Sequence, residues 1–123
     1  MKLKVIVAAS IVLASAGGTA SAHHSFAMFD QTQTKTLVGT VKQVQWTNPH
    51  IWVEVLVMDD KTKLPVQWSI EGGSPNALGR MGWKRSSIKE GDAVVMTIHP
   101  LKNGTNGGSM MKVMVNGQWV GRH

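Results

Sequence analysis

Alternation of apolar and polar positions organises the chain beyond residue 35. Residues 36–46 are rich in β-branched side chains, with Val38, Thr40, Val44 and Trp46 in one parity and Leu37 and Val41 in the other. This predicts a first strand, bent near Gly39. Thr47, Asn48 and Pro49 break it. Residues 50–58 then alternate strictly, Ile51, Val53, Val55 and Val57 against His50, Trp52, Glu54 and Leu56, so a second strand has one buried and one mixed face. Beyond a polar turn at residues 59–63, Val66, Trp68 and Ile70 alternate with Gln67, Ser69 and Glu71 in a third strand.

The pattern changes at Ser74, a good helix cap, followed by Pro75 at the first helical position, where its missing N–H costs nothing. Gly82 can stop this helix after about two turns. Residues 93–99 form a fourth predicted strand, residues 100–109 a glycine-rich loop and residues 110–115 a fifth strand. Asn116-Gly117 is a tight-turn signal that can return residues 118–120 as a hairpin. Three strands, one short helix and two strands are the order of an OB-fold. The expectation is therefore an all-β, five-stranded Greek-key barrel with its helix between strands three and four, and with the face of strands two and three as the usual ligand surface.

The first 22 residues read differently. Lys2 and Lys4 precede an apolar run over residues 5–16, and Ala20-Ser21-Ala22 places small residues where a signal peptidase cleaves. Ala14-Ser15-Ala16 is a second possible cleavage site. The run is about a dozen residues where a membrane-spanning helix needs roughly 20. It is read as a signal peptide, leaving residues 23–123 as one periplasmic or secreted domain without a membrane anchor. Cysteine is absent, which rules out a lipid-anchored terminus, disulfides, thiol catalysis and thiolate metal sites. Without Lys2 and Lys4, 11 basic side chains face 7 acidic ones. The basic residues are scattered, so nucleic acid is not the expected partner.

Cleavage after Ala22 would make His23 the amino terminus. Its free amine and its own Nδ1 can then chelate one metal ion, and an imidazole from elsewhere completes a three-nitrogen, near-planar set that selects Cu(II). His24 offers a competing chelate through the amine, the intervening amide and its own ring. His50 and His99, both at strand ends, are the candidate third ligands, with Trp46 or Trp52 as a shield. Copper is the implied cofactor. Met110, Met111 and Met114 on the fifth strand are soft donors suited to Cu(I), but they read as adaptable packing, Met111 sharing the parity of Val113 and Val115.

The competing expectation is a binding module without metal. In it His50, Trp52, Glu54, Gln67 and Glu71, flanked by the loop that carries Asn48, meet a small molecule, a glycan or an envelope protein. No catalytic constellation stands out: Ser74 is explained as a cap, and Glu54 and Glu71 are a weak acid–base pair. The chain is therefore not read as an enzyme.

Four stretches, AHHSFAMFD after the export signal, GTVKQVQWTNPHIWVEV, WSIEGGSPNALGRMGW and IKEGDAVVMTIHP, occur in this order. In them the chain resembles a family of small exported bacterial proteins classed as a domain of unknown function. The resemblance covers essentially all of the chain beyond the signal. It implies a single exported, non-lipidated domain and carries no activity.

Overall fold

The computed structural model describes residues 26–121. The predicted signal peptide, His23 and His24 lie outside the described residues. A single 3₁₀ turn at Phe26–Met28 leads into β1 (Lys35–Gln45), β2 (Trp52–Met58) and β3 (Pro65–Glu71). Helix α1 (Pro75–Arg80) and a second 3₁₀ turn (Arg85–Ser87) follow, then β4 (Ala93–Pro100), β5 (Gly107–Val115) and the two-residue β6 (Gln118–Trp119). The sheet runs β3-β2-β1-β4-β5-β6, and a parallel pairing of β3 with β5 closes the first five strands into a barrel. This is the OB arrangement. Alternate residues fill its interior: Leu37, Val53, Val55, Ile70, Met96, Ile98 and Val113 are all at most 1% exposed.

Local chemistry sets the boundaries. The Ser74 side chain accepts a hydrogen bond from the Ala77 N–H at 3.1 Å, with Pro75 opening α1 behind it. Gly82, at φ +92, supplies the left-handed residue that lets the chain leave the helix. Asn116 (φ 49) and Gly117 (φ 83) make the mirror-image turn that a tight hairpin needs.

Three features depart from the sequence pattern. In β1 the register slips between Val41 and Gln43. That bulge moves the core-facing set from Leu37 and Val41 to Val44 and Trp46, which is why both parities carry apolar residues. In β5 the slip lies between Met110, opposite Ile98, and Lys112, opposite Thr97. Met111 is the extra residue. It stands 45% exposed instead of joining Val113 and Val115 in the core, while Met110 packs against the core. The third departure is the glycine-rich stretch, whose last three residues are strand. Gly107, Gly108 and Ser109 pair with Ser69, Ile70 and Glu71 to close the barrel.

Asp92 ties the turn before β4 to the hairpin after β5. Its carboxylate accepts hydrogen bonds from the Lys89 N–H and Nζ, both at 2.9 Å, and from Asn116 Nδ2 at 3.2 Å. Burial alone would raise its pKa. The Lys89 and Asn116 donors outweigh that and hold it below the ordinary value of 3.8. A carboxyl depressed on folding stabilises the fold fully above its unfolded pKa, and the contribution fades as pH falls through the folded one. Asp92→Asn should therefore cost about 2 kcal/mol near neutrality, the scale of hydrogen bonds to a charged group. Urea unfolding of both proteins should show the gap at pH 7 and a much smaller one well below 3.8.

Candidate functional site

Strand register brings several of the candidate residues together. Trp52 lies opposite Glu71, Glu71 opposite Ser109, and Ser109 opposite His99, so one lateral row crosses β2, β3, β5 and β4. All four belong to the outward parity, yet Glu71 is 6% exposed. It is covered because chain folds over it. Phe29 bridges to Leu101, the Asp30 N–H donates to the Pro100 carbonyl at 2.8 Å, and the Lys102 N–H donates to the Met28 carbonyl at 2.9 Å. These contacts pin the segment before β1 across the outside of the barrel.

Between that segment and the strands lies a cavity of about 260 Å³, lined by Phe26, Phe29, His50, Glu71, Ser109 and Met110 with the backbone of Gly72 and Gly73. Gly72 makes it possible for the walls to meet. A Cβ on that residue would stand 2.5 Å from Ile51 Cγ1 and 3.1 Å from Met110 Cε. The His50 ring is oriented by its Nδ1, 3.0 Å from the Gly72 carbonyl oxygen. A carbonyl can only accept, so Nδ1 carries the hydrogen and Nε2 keeps the lone pair when the ring is neutral. The Glu71 carboxylate lies further off, with Oε1 at 3.6 Å from the same nitrogen. It acts there as a nearby charge more than as the hydrogen-bond partner.

The other candidates are distributed around the barrel. His99 is oriented like His50, its Nδ1 donating to the Gln33 carbonyl at 2.8 Å, but it lies outside the lining of the His50 cavity. Trp46 lines a separate cavity with Val44, Ile88 and Lys89, and its carbonyl takes a long, 3.4 Å hydrogen bond from Arg85. Asn48 is exposed in the loop before β2, joined to Pro49 by a cis peptide bond. On the β2–β3 face both oxygens of Glu54 accept hydrogen bonds, from Gln67 Nε2 at 2.9 Å and Ser69 Oγ at 2.8 Å. Lys42 Nζ in turn donates to Gln67 Oε1 at 2.7 Å. That carboxylate is committed to its neighbours within the sheet.

Phe26 and Phe29 did not stand out in the sequence as site residues, and Met110, weighed there as a soft donor, read as packing. The only hint was position, two phenylalanines three apart just after the histidine pair. Among the described residues, no three His, Cys, Asp or Glu side chains converge as a metal site. Nor is any helix among them long and apolar enough to cross a membrane.

The model of a family of unknown function, DUF6152, matches residues 9–111. The chain belongs to this family. The DUF6152 match spans the cavity residues and begins inside the apolar run near the start of the chain. No curated protein matches the chain. Among solved structures it is similar to the crystal structure of Rim1, a mitochondrial single-stranded DNA binding protein of S. cerevisiae. The TM-score is 0.53 at 6% identity, over 70% of this chain and 95% of that one. At that identity the likeness establishes the fold and nothing of the activity.

Proposed function

We propose that the protein is an exported, periplasmic copper-binding protein without catalytic activity. The mature chain begins at His23, whose amine and Nδ1 bind Cu(II) together with Nε2 of His50. The observation that carries this reading is the position of Phe26 in the wall of the His50 cavity. It is three residue steps along the chain from His23, and three extended steps reach at most about 11 Å. A terminus at His23 is thus within reach of the His50 ring. The ring's orientation supports the same reading, because an imidazole whose Nδ1–H is held by a carbonyl presents Nε2 in the tautomer a metal requires. Glu71, buried nearby, supplies negative charge that offsets an incoming cation. His24 competes or assists, His99 is the fallback third ligand, and Trp52, beside Glu71 in the register, is better placed as a shield than Trp46.

The family match supports export in a limited way: it begins at residue 9, so part of the signal-like segment belongs to the shared pattern. The competing reading is a metal-free module in which the β2–β3 face, with Trp52 half-buried on it, receives a small molecule, a glycan or an envelope protein. The internal hydrogen bonding of Glu54 counts against that use of the face.

The test is intact mass of the exported protein, followed by Cu(II) titration of that form and of one carrying a single extra residue before His23. The expected result is a mass starting at His23 and one-to-one binding that the extension weakens by about 100-fold, the scale of losing a chelating donor. A mature chain starting elsewhere, or an extension without effect, overturns the proposal.

A further inference from the structure

The cavity also holds a donor that the nitrogen ligands leave unused. Met110 packs half-buried against the core and shares the cavity wall with His50. Both residues border Gly72. His50 Nδ1 donates to its carbonyl, and Met110 Cε lies 3.1 Å from the position that a Cβ there would take. Ile51 Cγ1 is closer still to that position, at 2.5 Å, and the His50 and Met110 side chains line the same cavity. We infer that the His50 cavity is a mixed nitrogen and sulfur site, in which Met110 Sδ and His50 Nε2 together hold Cu(I). This rests on the reading of the cavity as the copper site and adds a second oxidation state, held without the His23 chelate.

The chemistry of the sulfur donor favours the monovalent ion. A thioether is a soft, neutral ligand that suits Cu(I) far better than Cu(II). Phe29 is buried and makes one wall apolar, while Phe26 stands 75% exposed at the rim. The methionine also has the three rotatable bonds needed to adjust its sulfur to an ion. Met111, the next residue, is carried outward by the β5 bulge and does not line this cavity. It is the natural control.

Cu(I) supplied under anaerobic conditions, and Ag(I) as its redox-inert substitute, would be titrated into the wild-type protein, Met110→Leu and Met111→Leu, with Cu(II) in parallel. Leucine conserves the volume of methionine, so packing is kept. Met110→Leu should weaken Cu(I) and Ag(I) by about tenfold or more while changing Cu(II) by less than about twofold, and Met111→Leu should change neither. X-ray absorption of the Cu(I)-loaded wild type should show a sulfur neighbour, a readout that depends on no variant. Unchanged Cu(I) affinity in Met110→Leu, or no sulfur neighbour in the wild type, overturns the inference. Loss of Cu(I) binding in Met110→Leu when the wild type binds no Cu(II) defeats the His23 reading and leaves this one standing. Wild-type protein that binds neither ion defeats both.

Discussion

Replacing Gly108 with alanine is expected to cost about 3 kcal/mol, a large part of the 5–15 kcal/mol that a domain of this size has in total. The added Cβ would stand 2.6 Å from the His99 carbonyl oxygen and 2.6 Å from Ile98 Cδ1. Real carbon atoms do not approach so closely, and one of the two obstacles is backbone. Relief requires β5 to move away from β4. The same residue pairs with Ile70 across the parallel seam, so that movement also strains barrel closure. Gly79→Ala is the matching control. It lies in α1 with nothing within 4 Å of its would-be Cβ, and alanine there should be neutral or stabilise by up to about 1 kcal/mol. Denaturant midpoints of the two variants decide the matter. Equal midpoints would show that the seam yields without cost.

Ile98→Ala is expected to cost about 3 kcal/mol for a different reason. Ile98 is fully buried, and its Cδ1 occupies the space that the missing Gly108 side chain leaves open. Truncation removes apolar burial and leaves a cavity that a closed barrel cannot easily collapse around. The pair should therefore couple. In the double variant the Ile98 obstacle is gone and the alanine methyl fills part of the void, so the combined loss should fall about 1 kcal/mol short of additivity. The His99 carbonyl remains in the way, so recovery is incomplete. Strict additivity would show that Ile98 and residue 108 do not share this space.

These residues also mark where the sequence stops being informative. Strands β2 and β3 were legible because each has one buried face, and Val53, Val55 and Ile70 announce it with a period of two. The helix was legible through Ser74, Pro75 and Gly82. Gly107 and Gly108 carry no side chain and so no periodicity, and they read as loop. Their role comes from what surrounds them in space. The bulges at Lys42 and Met111 add one residue each, which inverts parity downstream, and nothing in local composition marks the place.

The candidate site was legible to the same extent. His50 followed from its place at the head of a strand. Phe26 and Phe29 did not, and Met110 was weighed as a soft donor but read as packing, because the bridge from Phe29 to Leu101 and the approach of Met110 to Gly72 join segments far apart in the chain. Chemistry that lies across such contacts has no signature in any one stretch of sequence.

The seam between β3 and β5 has three residue pairs, against six or seven in each of the other four interfaces of the barrel. Its last pair, Glu71 with Ser109, is also part of the cavity beside His50. Local unfolding begins where the fewest contacts hold, and here that place and the cavity beside His50 coincide. Occupancy and closure are then linked thermodynamically. Whatever enters the cavity stabilises the weakest join of the barrel, and whatever opens the join releases what the cavity holds.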